Sequence, residues 1–173
     1  AQAKEALVRL QAGNLWAWAS KYFESGEITE GFTIQSAVEF AESVDNTSLY
    51  EASSESDELI GMRRGAVAAA AAVALNHREE LSEDDLVWAR QVLRRALRCP
   101  EHKDTYWSRS SIIPWHPLIF VARGLAADVR AGDGGSQAPH DLIALVAHPL
   151  EIVSLAAIEE SLSLWDMDPR LGW

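Results

Sequence analysis

The sequence predicts an all-α fold, arranged as a short α-solenoid of stacked antiparallel helix pairs. Three observations predict it. Apolar residues make up 48% of the 173 positions and lean on Ala and Leu rather than on Val, Ile and Thr, a balance that favours helix over sheet. Helix-start residues are dense, with Ser, Asp or Pro standing ahead of runs whose apolar members recur every three or four positions. No alternating apolar–polar run of five residues lacks a better helical reading, and Asp133-Gly134 lies between two helical stretches rather than between β-branched runs.

The elements follow in order. At least one helix is expected before residue 24, within an N-terminal segment 1–24, and another over about 33–44. Ser56, Asp57 and Glu58 cap a helix over 57–76 that runs through an alanine block. That block has almost no side-chain bulk, so other helices can approach it closely, near the short end of the usual ~8–10 Å range. It reads as the central buried helix. Ser82 followed by Glu83, Asp84 and Asp85 is an N-cap with acids in the first turn, where they suit the positive end of the dipole. Leu86, Ala89, Leu93 and Leu97 then repeat at helical spacing over 83–98. Pro117 stands at a first helical position, and Leu118, Val121, Leu125 and Val129 follow on one face until Gly132, Gly134 and Gly135 end the run. Two further helices are expected at 139–147, behind Pro139, and at 149–165, behind Pro149.

These elements sort into pairs over 33–76, 83–130 and 139–165, within one domain covering 1–173. The second helices of the pairs resemble one another. His116-Pro117-Leu118 and His148-Pro149-Leu150 open two of them, and Arg64-Gly65-Ala66 echoes Arg123-Gly124-Leu125. The long segment 99–115 makes the spacing unequal. On these residues, about 33–165 of the chain resembles the HEAT and armadillo class of helical repeats, in which each pair buries its apolar face only against its neighbours. The resemblance implies a scaffold or sensor surface for protein partners. It also implies a setting beside an NTPase module in a large bacterial signalling or defence protein. The chain begins without Met and stops on Leu171-Gly172-Trp173, so a piece of a longer polypeptide is expected.

Charge sets limits on partners. The net charge is −11, which argues against duplex nucleic acid or an anionic membrane as the main partner. Residues 24–58 hold ten acids and no Lys or Arg, whereas Arg90, Arg94, Arg95 and Arg98 cluster later. The plain reading is a solvated acidic face and an ordinary exposed helix; the alternative is an acidic half that docks a basic partner. The longest apolar run, 66–75, is too short to span a bilayer. Cys99 is the sole cysteine, so no internal disulfide can form and a cytoplasmic location is expected. Asn46-Thr47-Ser48 matches a glycosylation acceptor, which matters only in a secreted protein.

Catalytic and metal motifs are missing. The chain has no phosphate-binding Gly-x-x-x-x-Gly-Lys loop and no Gly-x-Ser-x-Gly elbow. Cys99 and His102 have ligand-like spacing, but a zinc site needs further ligands and no second Cys exists. His116 and His148 each precede Pro, where a helix-entry role outweighs proton transfer. Glu79, Glu80, Glu83, Asp84 and Asp85 lack the spaced ligand order of a calcium loop. No cofactor is expected, and no activity as an enzyme.

One stretch carries recognition chemistry. Residues 106–115 are rich in aromatics and Arg, and a long connection inside a compact domain is often functional. Tyr106, Trp107, Arg109 and Trp115 are the candidate partner-binding residues, because Trp, Tyr and Arg dominate interface hot spots. The alternative is that Trp107 and Trp115 plug the groove between helix pairs. Trp16, Trp18, Trp165 and Trp173 are expected to be partly buried, marking surfaces that await a further repeat. The function this predicts is a protein-interaction or sensor module that meets a protein partner or a neighbouring domain. The competing prediction is an accessory helical domain of an enzyme whose catalytic part lies elsewhere.

Overall fold

The computed structural model describes residues 2–45, 57–98, 116–132 and 137–167. These residues form seven α-helices and one short 3-10 turn, with no strand among them: α1 (Gln2–Ser25), α2 (Ile34–Val44), α3 (Asp57–Asn76), the turn Arg78–Glu80, α4 (Glu83–Arg98), α5 (Pro117–Ala131), α6 (Gln137–Val146) and α7 (Glu151–Met167). None of the helices searched among the described residues is long and apolar enough to cross a membrane.

Local chemistry sets the boundaries. Gly26, at φ +75°, ends α1, and its amide donates to Tyr22 O at 2.7 Å. Thr33 caps α2 in a reciprocal box: Ser36 N donates to Thr33 Oγ1 at 3.0 Å, and Thr33 N donates to Ser36 Oγ at 2.9 Å. Ser82 does the same for α4. Its hydroxyl accepts from Asp85 N, and the Asp85 carboxylate accepts from Ser82 N and Oγ. Gly132, at φ +73°, closes α5.

Two starts differ from the sequence reading. α6 begins at Gln137, two residues ahead of Pro139, because a first-turn Pro lacks only a donor that has no intrahelical acceptor. α7 begins at Glu151 rather than at Pro149. Pro149 and Leu150 form the bend leading in.

The alanine block is central. Every residue from 66 to 75 is buried, and α3 packs against α1, α2, α4 and α5. α5 in turn packs against α3, α4, α6 and α7, and α6 packs on α7. Gly124 marks the tightest passage described: a Cβ there would meet Leu93 Cδ1 at 2.9 Å and the Ala72 backbone at 3.5 Å. On the far side of α1, Trp18 donates to Thr29 O at 3.2 Å and stacks near Phe32, which pins the α1–α2 connection.

The arginine helix is not merely exposed, and the acidic segment is not wholly solvated. Arg95 Nη2 donates to Asp45 Oδ2, which also accepts from Trp88 Nε1 at 3.0 Å, and the Asp45 side chain is only 3% exposed. The sequence reading misses this because the partners lie 43 and 50 positions apart. Of the tryptophans, Trp18 is buried, Trp16 is half-buried and Trp165 is 45% exposed. Trp173 lies outside the described residues.

Candidate functional site

Two buried carboxylates organise the second half of the chain. Asp128 on α5 accepts from Arg90 Nε at 3.2 and 3.3 Å and from Arg78 Nη2 at 3.2 Å. Arg78 also donates to the Leu75 and Ala127 carbonyls. Glu160 on α7 accepts from Arg130 Nη2 at 2.6 Å and from Arg123 Nη1 at 3.3 Å. Arg130 reaches back to Asn76 Oδ1 at 3.4 Å, and Arg123 lies over the Phe23 ring at 4.9 Å. Each carboxylate therefore ties a helix to the elements that precede it. Bidentate, charge-assisted donors of this kind restrict how one helix can slide on another.

The two histidine caps meet. His116 Nδ1 accepts from Leu118 N at 3.2 Å, and His148 Nδ1 accepts from Leu150 N at 3.1 Å. Their rings lie 5.9 Å apart, edge to face. Burial, and secondarily His148, push the His116 imidazole down to about 3, so the neutral acceptor form persists at ordinary pH. Thirty-two residues separate the two histidines, and thirty-two also separate Asp128 from Glu160. The sequence shows the first echo. The second is hidden by the change from Asp to Glu.

The outer side of the last two helices has a different character. α7 turns Val153, Ala156, Ala157, Glu160 and Leu164 inward. Its opposite side shows Leu155 (49% exposed), Ile158, Leu162 (60%) and Trp165. These four recur at intervals of three, four and three residues, the stripe one helix offers another. Three of them, Ile158, Leu162 and Trp165, frame with Ser161 and with Ile143 and Val146 of α6 a groove of about 410 Å³, whose lining is almost wholly apolar. Glu151, Glu159 and Asp166 are exposed on the same helix, one turn from members of the stripe, and no Lys or Arg occurs between residues 131 and 169.

The remaining candidates resolve as follows. Tyr106, Trp107, Arg109 and Trp115 lie outside the described residues, as do Cys99 and His102. His77, Glu79 and Glu80, on the turn after α3, bring one ligand atom each to within 4.8 Å of one another. His77 Nδ1 stands 3.5 Å from Glu80 Oε1 and 3.9 Å from Glu79 Oε1. Both glutamates are exposed, and such a surface cluster is common without an ion. His77 is absent from the sequence reading, which took only the acids there. The groove beside α7 was legible in part, through Trp165.

No family model matches the chain, and no curated protein or solved structure is significantly similar to it.

Proposed function

We propose that the chain is a non-enzymatic protein-interaction module, a short stack of helix pairs whose last pair presents the binding face. The observation that carries this reading is the two-sided apolar character of α7. A helix that is apolar all round is normally buried on all sides, yet Leu155, Leu162 and Trp165 are about half exposed or more. Exposed apolar groups that are contiguous and rimmed by charge mark interaction surfaces. The matched spacing of the histidine caps and of the buried carboxylates supports treating α5 and α7 as equivalent members of successive repeats. The solenoid resemblance rests on that equivalence and on the consecutive packing of α3 on α5 and α5 on α7. The lone Cys99 and the acidic balance fit a cytoplasmic setting.

The test is site-specific photo-cross-linking in cells, with the reactive residue at Leu162 or at Gln91. Gln91 is exposed on α4, away from the groove. A discrete cross-linked protein from Leu162, absent from Gln91, is expected. Equal or no cross-linking at the two positions defeats the reading.

A further inference from the structure

We infer that the apolar stripe of α7 receives an amphipathic helix of a partner protein, flanked by Lys and Arg and docked as α7 itself docks on α5. The inference rests on the interaction reading above and adds the chemistry of the partner.

The thirty-two-residue correspondence supplies the geometry. α5 faces α7 through Arg123 and Arg130, which both reach Glu160. Thirty-two positions on, these residues correspond to Leu155 and Leu162. The burial pattern keeps step as well: Val121 with Val153, Gly124 with Ala156, Leu125 with Ala157 and Asp128 with Glu160 are buried in both helices. The exposed stripe of α7 is therefore the same face that on α5 carries the next helix. What such a face accepts is a helix.

Side-chain chemistry narrows the occupant. Where α5 offers two arginines to a glutamate, α7 offers two leucines, so the incoming helix needs an apolar stripe rather than a carboxylate. Glu151, Glu159 and Asp166 are exposed along the rim, with no basic residue between 131 and 169 to offset them. Lys and Arg on the flanks of the incoming helix would meet these acids, and acidic flanks would be repelled. The same rim disfavours a second copy of this chain, which would set Glu159 and Asp166 against their own kind. It also disfavours an anionic bilayer.

The experiment uses the full 173-residue chain and two fluorescent peptides of about 18 residues, five helical turns. Both peptides carry the same leucine stripe. One has Lys and Arg flanks and the other has Glu flanks. Fluorescence anisotropy is expected to show the basic peptide binding at least about tenfold more tightly, with affinity falling as salt rises. Leu162→Ser is expected to weaken it by about tenfold. The double change Glu159→Lys and Asp166→Lys is expected to reverse the preference between the peptides. Circular dichroism of both variants checks that the fold is kept.

Equal binding of the two peptides, or binding of neither, overturns the inference. So does a dimer in sedimentation equilibrium that Leu162→Ser dissolves, which would make a second copy the occupant. Binding to anionic vesicles in place of the basic peptide overturns it too. If the peptides fail while Leu162 still cross-links to one protein, the interaction reading stands and the basic helix does not. If the cross-link is also absent, both fall.

Discussion

His116 and His148 stand at the entrances of α5 and α7 with their imidazole centroids 5.9 Å apart, and each ring accepts a backbone N–H that the following helix entry would otherwise leave orphaned. The acceptor atom is Nδ1 in both, so the proton of the neutral His116 ring sits on Nε2. Protonating Nδ1 of His116 would abolish its cap.

That arrangement predicts an acid-sensitive fold. The folded His116 is held at about 3, below its ordinary value near 6.5. A group depressed on folding contributes its full stability above the unfolded value and loses it as pH falls through the interval. Between about pH 6.5 and 3 the unfolded chain binds the extra proton, so stability drops by up to about 1.4 kcal/mol per pH unit from this residue. His116→Asn keeps a good cap and removes the titration. Urea unfolding across this range is expected to give a shallower pH dependence for the variant; parallel curves would refute the assignment.

Replacing Ala70 or Ala71 by Leu is expected to destabilise by about 1–3 kcal/mol. Both positions are essentially sealed, at 1% and 0% exposure, on the helix that four others pack against. An unchanged denaturation midpoint would contradict the close packing described for α3.

Asp128→Ala removes the shared acceptor of Arg78 and Arg90 and leaves two guanidinium groups beside an apolar interior. A fully buried pair broken in this way costs about 3–5 kcal/mol. Here the arginine side chains are 20% and 22% exposed and can turn toward water, so a loss nearer about 2–3 kcal/mol is expected. Thermal unfolding of the variant measures it, and a loss below about 0.5 kcal/mol would place the pair among ordinary surface contacts.

The two sides of α7 should answer differently to the same change. Leu164 is fully buried, and Leu164→Ala is expected to cost about 2–5 kcal/mol. Leu162 is 60% exposed, and Leu162→Ala is expected to stay within about 0.5 kcal/mol. Comparable losses at both would mean that the outer stripe is already covered.

The sequence reads well where one residue decides an outcome locally. Ser82 with its three following acids places α4 at Glu83–Arg98, as expected. The alanine block places the centre of the core, and the two His-Pro-Leu starts identify the elements that meet. Reading fails where the partner is distant. Asp45, Asp128 and Glu160 look like any surface acids, and only the fold brings each to a cation at least 30 positions away. Pro139 and Pro149 each look like the opening of a helix, although Pro is tolerated across a first turn and also in the bend before one. Leu155 and Leu162 carry no local mark that tells an exposed leucine from a core one. What sets them apart is that α7 has more apolar faces than neighbours to cover them.

The central place of α3 bears on how the protein comes apart. α1, α2, α4 and α5 all close around that helix, so none of them can leave without opening the alanine seam. α6 and α7 hold to the rest chiefly through α5. The α6–α7 hairpin can therefore open from α5 without breaking the alanine seam. In native-state hydrogen exchange the amides of α3 should exchange only on global unfolding, whereas those of α7 should exchange through a partial opening. A helix seated on the outer stripe would slow exchange in α7 and leave the protection of α3 unchanged, which makes the amides of α7 a direct reporter of occupancy.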